Sequence, residues 1–328
     1  MQIFLTYDYE LFFGNPTGTV EKCIIEPTNK LREISEETGV NFVFFIDVGY
    51  IKKLGEYKDQ FPKVEKEYKK VVKQIKTLVF EGHDCQLHIH PHWEDCTHDG
   101  EKWNMVTDRY KLDDFSDDEI DSIVKEYHSI LENLTEKKVT SYRAGGWCLQ
   151  PFDRVKSSFE DIGIKLDSTV FPGGKFTEGN YYYNFVNTPD QGRWRFSNDL
   201  TIEDTSGPFW EYPIASFYYN PLFFWKLFAL GRMFPDDHKP IGDGYPMSSP
   251  GLRKKMLTTG IRLSASVDGY FITKLNKVLR VNQDLGYDEM VVLGHPKACT
   301  KFALKKLREF ILKNKNKHSF LTFADLDI

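Results

Sequence analysis

The chain lacks the features that mark several classes of protein. Its 328 residues contain only five cysteines, scattered and without a C-x-x-C pair, which excludes a disulfide-stapled secreted scaffold. The formal net charge of -5 gives no basic excess, which argues against a nucleic-acid-binding protein. The N-terminus enters an apolar stretch without the basic region or cleavage site of a signal peptide. We therefore expect a reduced, cytoplasmic protein.

The chain also lacks an uninterrupted apolar run. The most membrane-like segment, residues 217–234, is broken by Asn220, Pro221 and Lys226, whereas a transmembrane helix needs about 20 mostly apolar residues. We predict no transmembrane span. Two interpretations of the segment stay open: a buried aromatic helix, or an interfacial patch that meets a membrane or a lipid-linked substrate.

What the chain does have is a hydrophobic content of 41% and an alternation of strand and helix patterns. Apolar runs bounded by turn residues predict strands, and 3.6-residue periodicity with caps predicts helices. The strands are predicted at 2–7, 41–46, 139–143, 164–168, 290–293 and 320–323, and the helices at 28–38, 62–81, 117–134, 151–162, 268–285 and 301–312. This order predicts an α/β fold with a parallel sheet.

Residues 171–250 break the alternation. They are rich in glycine, proline and aromatic residues, and only 210–214 has a strand-like pattern. Because no internal repeat or flexible linker is present, we predict a single catalytic domain over 1–328, with 171–250 as an elaborated insertion.

The most informative segment is 82–93, which holds four of the nine histidines within ten residues. In a helical turn, His88 and His92 would share one face. In an extended strand, His88, His90 and His92 would point to the same side. Either geometry brings at least two imidazoles together, so the segment predicts a metal site.

Other polar residues also follow predicted strands. In parallel α/β proteins, functional groups gather where the strands end, so side chains in these positions are expected on one rim. The residues in question are Asp8 and Glu10 after the first strand, His88 and His92 in the histidine segment, and Arg143, Asp167 and His295 at the ends of later strands.

In this order the motifs resemble those of the NodB-like polysaccharide deacetylases of carbohydrate esterase family 4. Residues 6–10 (TYDYE) stand where that family has T-F-D-D-G, and 82–92 align with its histidine motif. Residues 143–147 (RAGGW), 163–168 and 293–296 (LGHP) are similar to its later motifs. The resemblance spans nearly the whole chain.

The resemblance implies a distorted TIM-like (β/α)7 barrel and a metal-dependent carbohydrate deacetylase, acting on a linear amide C–N bond. Tyr9 replaces the second aspartate of the first motif, so the third protein ligand is Glu10, or Asp8 itself, or is absent. The implied residues are Asp8, His295 and Arg143 for catalysis, Tyr9, Gly145, Gly146, Trp147 and Asp167 for substrate binding, and His88, His92 and Glu10 for the metal.

The residue types also suit that chemistry. We expect one divalent ion, with zinc preferred over cobalt, nickel or iron, and this ion would activate a water molecule. Asp8 would take the proton of the water, His295 would protonate the leaving amine, and Arg143 would orient Asp8 and keep it ionised. We therefore predict removal of an N-acetyl or other N-acyl group from a sugar or oligosaccharide, nucleotide- or lipid-linked, in surface polysaccharide metabolism. Peripheral membrane contact is compatible with that substrate.

Two alternatives are weighed against this prediction. A glycoside hydrolase on a related barrel would pair Asp8 or Glu10 with Asp167, but would leave the histidines unexplained. A noncatalytic carbohydrate-binding protein would stack the aromatic side chains of 181–225 on sugars. The carboxylate that tunes the acid histidine in the family has no match near Val170, and Tyr9 alters the first motif.

Overall fold

The computed structural model describes residues 1–247 and 251–328. The last three positions of the predicted insertion, 248–250, lie outside the described residues. Strands and helices alternate along most of the chain, and the predicted α/β class is confirmed. No helix in the described residues is long and apolar enough to cross a membrane.

The strands in the described residues are β1 (Gln2–Tyr9), β2 (Val43–Asp47), β3 (Asp84–Ile89), β4 (Thr97–His98), β5 (Trp103–Asn104), β6 (Ser141–Ala144), β7 (Leu166–Asp167), β8 (Lys175–Phe176), β9 (Tyr183–Asn184), β10 (Trp194–Phe196), β11 (Phe209–Glu211), β12 (Ser216–Tyr219), β13 (Ile261–Ser264), β14 (Glu289–Gly294) and β15 (Ser319–Phe320). The longest of them, β1, β2, β3 and β14, are almost wholly buried. Burial on both faces is typical of parallel strands covered by helices.

The helices in the same residues are α1 (Glu26–Thr38), α2 (Val48–Tyr57), α3 (Pro62–Phe80), α4 (Asp117–Thr135), α5 (Asp153–Ile162), α6 (Pro221–Met233), α7 (Pro235–His238), α8 (Leu252–Thr258), α9 (Leu275–Asp284) and α10 (Lys301–Asn314). Helix α4 begins with a capping box. The Ser116 backbone N–H donates to Glu119 Oε2 at 2.8 Å, and the Glu119 N–H donates back to Ser116 Oγ at 3.4 Å.

The sequence missed helix α2 and misjudged one later helix. Two glycines, Gly49 and Gly55, weaken the helical pattern of α2, although packing requires the first of them: a β-carbon at Gly49 would lie 2.8 Å from the Trp93 side chain. The helix predicted at 268–285 is a 3-10 segment, Gly269–Lys274, followed by α9.

The chain forms two compact units. The terminal unit consists of Met1–Phe42 and Ile214–Leu321, and the middle unit of Val43–Pro213 and Thr322–Ile328. The single catalytic domain stays a prediction. The predicted insertion contributes short strands to the middle unit, and β12, α6 and α7 to the terminal unit.

In the terminal unit, β1 pairs in parallel with both β14 and β15. The register of β1 and β14 places Tyr7 opposite Gly294, so that both strands end at the same level. Strands β12 and β13 form a separate antiparallel pair. The carboxyl ends of β1 and β14 therefore present Asp8, which lies within the last two residues of β1, and His295, which directly follows β14, at one edge.

In the middle unit, the strand order is β10-β11-β7-β6-β3-β2, parallel except for the β10–β11 pair. The registers place His88 between Asp47 on one side and Arg143 on the other. Asp167 lies between Tyr142 and Glu211 in the same way. The predicted gathering of polar residues at strand ends is confirmed within this unit.

Candidate functional site

Asp8 and Glu10 come from the end of β1. Side chains alternate across a strand, so these two carboxylates share a side and Tyr9 takes the other. Both carboxylates are buried, and so is Tyr9. A contact between Tyr9 and substrate stays a prediction.

His295 directly follows β14 and faces these carboxylates. Its Nε2 lies 3.8 Å from Asp8 Oδ2 and 3.7 Å from Glu10 Oε1. Its Nδ1 hydrogen-bonds Asp268 Oδ2 at 2.7 Å, and its backbone N–H donates to Asp268 Oδ1 at 2.8 Å. Asp268 therefore fixes both the main chain and the ring of His295, and it directs Nε2 toward the first-strand carboxylates.

The surroundings of His295 favour its protonated form. Burial by itself lowers the pKa of the imidazole, but the negative charges of Asp268, Asp8 and Glu10 together outweigh it. The pKa of His295 consequently lies above its ordinary value. A protonated imidazole next to two carboxylates is able to act as a proton donor near neutral pH.

Glu10 has a second buried partner, Lys297. The Lys297 ammonium donates to Glu10 Oε1 at 2.8 Å and to the Leu11 carbonyl at 2.6 Å. It also lies over the rings of Phe12 and Phe13. Lys297 holds one oxygen of Glu10 in a defined position, a role that no local sequence pattern indicates.

The middle unit contributes the histidines. His88 lies in β3, which ends at Ile89, and His92 lies in the 3-10 turn Pro91–Asp95. The helical geometry considered for His88 and His92 is therefore wrong, and the extended alternative is confirmed as far as His90. The rings of His88 and His90 have centroids 4.8 Å apart.

The main chain fixes the tautomer of His88. Its Nδ1 lies 2.8 Å from the Arg143 carbonyl oxygen, so Nδ1 carries the hydrogen and Nε2 is left as the ligand atom. A carbonyl partner of this kind is the usual orienting contact of a metal-binding histidine. Arg143 thus acts on His88 through its backbone, a role that its residue type does not reveal.

The Arg143 side chain is itself completely buried. Its Nε donates to the Ser168 carbonyl at 2.8 Å and its Nη2 donates to Ser168 Oγ at 3.1 Å, while the guanidinium lies 4.2 Å over the Phe45 ring. These contacts place a fixed positive charge at the end of β6. The predicted orientation of Asp8 by Arg143 stays a prediction.

His90 is positioned by close packing. A β-carbon at Gly145 would lie 2.5 Å from His90 Nδ1, so only glycine allows the ring to take this place. Gly146 has a φ of +59° and packs below Tyr110. Gly145 therefore supports a histidine, and substrate contacts by Gly145 and Gly146 stay predictions.

His92 is held in an aromatic stack. Its ring lies parallel to Tyr110, with an interplanar angle of 9° and centroids 5.4 Å apart, and it also stacks on Trp93. The Trp93 indole N–H donates to Asp47 at 2.6 Å, which fixes the turn. His92 as a metal ligand stays a prediction.

Trp147 adopts an unusual backbone conformation. Its φ of 61° lies in the left-handed region, which disfavours a side chain as large as indole. Its ring packs edge-on against Phe171 and Tyr183. Such conformations concentrate at functional sites. Substrate binding by Trp147 stays a prediction.

Asp167 is buried beside Glu211. Burial and the charge of Asp167 raise the pKa of Glu211 well above its usual range, and burial raises the pKa of Asp167 as well. The Thr169 hydroxyl donates to Asp167 at 2.7 Å, and the Val170 N–H donates to Glu211 at 3.2 Å. Both carboxyl groups therefore have partners within the protein, and a proton on Glu211 removes their repulsion.

Glu10, His88 and His90 are buried, and each offers one atom that can bind a metal ion. Carboxylate and imidazole groups suit zinc and its divalent neighbours. The ligand set named from the sequence, Glu10, His88 and His92, stays a prediction. In the middle unit His90 lies next to His88, with ring centroids 4.8 Å apart, and is a further candidate that the predicted set did not include.

The structure also has a cavity in the middle unit with a volume of about 530 Å³. Tyr181 lies at its wall, and the Tyr181 ring contacts Tyr110, with centroids 4.4 Å apart. Tyr110 in turn stacks on His92. Besides Tyr181, the wall includes Tyr182, Lys111, Gln150, Asn198 and Asp199.

We expect Gly145→Ala to weaken metal binding about 10- to 100-fold, because the added methyl group displaces the His90 ring. Isothermal titration of the metal-free protein with zinc measures the change. Gly55→Ala is the matched control, since the nearest side-chain atom to its added β-carbon is 3.9 Å away. Equal zinc affinity of the Gly145→Ala variant and the wild type would exclude His90 as a ligand.

No protein-family model matches the sequence, and no curated protein matches it either. Solved structures do. A protein of Mycobacterium smegmatis assigned as a polysaccharide deacetylase superposes with a TM-score of 0.55 at 13% identity, over 98% of this chain and 87% of the other. The allantoinase PuuE superposes with a TM-score of 0.55 at 10% identity, over 99% of this chain and 88% of the other.

A third structure, the 4-alpha-glucanotransferase of Thermococcus litoralis, superposes with a TM-score of 0.52 at 11% identity, over 99% of this chain and 40% of the other. At these identities the likeness defines the fold. The chain has the distorted TIM-like α/β fold of the polysaccharide deacetylases, as the motif resemblance implied. Proteins with different activities share this fold, so the reaction has to be argued from the site.

Sequence reasoning missed three residues of the candidate site, namely Asp268, Lys297 and Glu211. Asp268 was assigned to the start of a helix, but its carboxylate bonds His295 instead of capping that helix. Glu211 ends β11, Lys297 lies within the 3-10 turn Pro296–Ala298, and Asp268 lies in the loop between β13 and the 3-10 segment Gly269–Lys274. Their partners are set by the fold, so the sequence contained only a weak signal for them.

Proposed function

We propose that this protein is a metal-dependent hydrolase that removes an N-acyl group, most simply acetyl, from a sugar. The observation that carries the proposal is the buried pair of His88 and His90, whose ring centroids lie 4.8 Å apart. Two imidazoles at this distance are able to share one divalent ion. Glu10, the carboxylate named from the sequence, is proposed as the third ligand. His295 and Asp8 supply acid and base groups for an amide hydrolysis.

The donor groups of these proposed ligands suit a divalent ion. His88 presents Nε2 because Nδ1 is engaged by the Arg143 carbonyl, and Lys297 holds one oxygen of Glu10. When bound, such an ion lowers the pKa of a coordinated water and polarises a carbonyl oxygen. Zinc is the first choice, and cobalt, nickel and iron suit the same donors.

The proton transfers are assigned to the residues around His295. Asp8 accepts a proton from the water whose oxygen attacks the acyl carbon. His295 Nε2 donates a proton to the nitrogen as the C–N bond breaks, so the products are a carboxylic acid and a free amine. Asp268 stabilises the positive charge of His295 before the transfer and fixes its ring through the 2.7 Å bond to Nδ1.

The substrate class is proposed from the fold and the middle-unit cavity. One structure with this fold is assigned as a polysaccharide deacetylase. The cavity presents tyrosine rings together with amide and carboxylate side chains, which are the groups that bind sugar faces and hydroxyls. An N-acylated oligosaccharide, free or attached to a nucleotide or lipid, is the proposed substrate.

The test is release of acetate from a panel of N-acetylated sugars, oligosaccharides and nucleotide sugars. We expect turnover by zinc- or cobalt-loaded protein, loss after treatment with a chelator, and recovery on reloading. The same samples are assayed for new reducing ends. Reducing ends without acetate would support a glycoside hydrolase and contradict the proposal.

The buried carboxyl pair of Asp167 and Glu211 argues against a glycoside hydrolase that uses Asp167 as one of its two catalytic carboxylates. Asp167 is hydrogen-bonded to Thr169 and lies beside Glu211, with both carboxyl groups fully buried. A glycosidase carboxylate must reach the scissile bond or its attacking water. Metal uptake without turnover on any substrate of the panel would instead favour the noncatalytic sugar-binding protein.

A further inference from the structure

Helix α6 carries an apolar stripe on its exposed side. Leu222, Trp225, Ala229 and Met233 follow one another at intervals of three or four residues, so they share one helix face. The exposed fractions of Leu222, Trp225 and Met233 are 61%, 59% and 69%. Phe234, directly after the helix, is exposed as well.

The opposite side of α6 is firmly packed. Phe223 and Phe224 are buried with Tyr219 in an aromatic cluster, and both rings contact Phe271. The Asn220 side chain caps the helix by accepting from the Phe223 N–H at 3.0 Å. The stripe is therefore presented on a fixed helix, and packing within the unit does not account for its composition.

Basic side chains border the stripe. Lys226 and Arg232 are exposed on α6 itself. Helix α8 packs against α6: the Trp225 indole N–H donates to the Leu257 carbonyl at 3.2 Å, and the Arg253 guanidinium lies 5.2 Å over the Phe228 ring. Helix α8 adds Arg253, Lys254 and Lys255, all exposed.

The surface carries a net positive charge. Among the described residues of α6, α7 and α8, the acidic side chains are Asp236 and Asp237, and the five basic side chains of α6 and α8 outnumber them. Tryptophan, leucine and methionine framed by lysine and arginine are typical of helices that lie in the headgroup region of a membrane. Anionic lipid headgroups attract the positive charge of this surface.

We propose that the α6 face, defined by Leu222, Trp225, Ala229 and Met233 with the basic side chains of α6 and α8, binds the surface of an anionic lipid membrane. The apolar stripe enters the boundary between headgroups and acyl chains, and the lysines and arginines contact lipid phosphates. This binding is separate from the proposed hydrolysis and does not require a metal. It would hold the protein at a lipid surface.

The test is co-sedimentation with vesicles of phosphatidylcholine alone and with vesicles containing about a quarter phosphatidylglycerol. We expect the wild type to sediment with the anionic vesicles only, and less so at high salt because screening weakens the contacts. Leu222→Gln combined with Met233→Gln should lower the partition coefficient about tenfold or more. Lys254→Glu combined with Lys255→Glu should act similarly.

Ile202→Gln is the matched control, because Ile202 is also 61% exposed but lies in the middle unit. It should bind as the wild type does. Failure of the wild type to bind anionic vesicles, or unchanged binding by both double variants, would overturn the proposal. Sedimentation equilibrium in the absence of lipid tests the competing explanation, in which a second copy of the chain covers this face. Self-association of the wild type that is lost in the Leu222→Gln, Met233→Gln variant would assign the face to a second copy.

Discussion

Replacing His88 and His90 together by alanine is expected to abolish metal binding and, with it, turnover. The variant loses both imidazoles of the proposed site, while Glu10, the proposed carboxylate ligand, remains. A protein-bound zinc ion is held by about 10–16 kcal/mol over four ligands, so the loss of two should weaken binding on the order of 10⁴-fold. Elemental analysis after dialysis measures the ion per chain, and zinc titration measures its affinity.

Two further histidine variants make this experiment decisive. His98→Ala removes another buried histidine, in β4, which is not among the proposed ligands, and it should keep full metal content. His92→Ala tests the ligand named by the sequence prediction: retention of metal assigns the site to His90, and loss assigns it to His92. A full equivalent of ion in the double variant would refute His88 and His90 as ligands.

Asp268→Asn is expected to lower kcat by about 10²- to 10⁴-fold with little change in metal content. Asparagine cannot supply the negative charge that raises the pKa of His295, and its amide group can face Nδ1 as a donor. The ring would then be neutral more of the time, and a neutral imidazole is a much weaker proton donor than the imidazolium ion. Steady-state kinetics on the best substrate measures the change.

The pH profile separates this role from a merely structural one. Asp268 raises the pKa of His295, so its replacement lowers that pKa, and the basic limb of kcat should move to lower pH. Asp84→Asn is the matched control, since Asp84 is a buried aspartate in β3 that bonds Gln86 and the Ala324 N–H. An unshifted profile with normal kcat in the Asp268 variant would exclude a positioning role.

Asp268 and Lys297 change the interpretation of the altered first motif. The replacement of the second aspartate by Tyr9 leaves Glu10 as a nearby carboxylate, and Lys297 fixes its Oε1 at 2.8 Å. The sequence has no carboxylate near Val170 to match the one that the resemblance implies, and in the structure Asp268 bonds His295. Within the terminal unit, the proposed proton donor His295 therefore has an orienting partner.

The sequence by itself determined the fold class and much of the site. The alternation of apolar runs and capped helices was sufficient to predict β1, β2, β14, α3 and α4, because burial on both faces and 3.6-residue periodicity are local properties. The cluster of histidines, together with Asp8, Glu10 and His295 at strand ends, followed from the same reasoning.

Only the tertiary structure decided how those residues are used. The segment after Ile89 could continue as a strand or form a turn, and this choice determines which histidine lies next to His88. Gly145 leaves the space that the His90 ring needs in that position. The pairing of Asp268 with His295 joins residues 27 positions apart through the arrangement of strands. Likewise, local patterns show that α6 is apolar, but only packing against Phe271 determines which of its faces is exposed. Contacts between residues distant in sequence are fixed by register and packing, which no local pattern records.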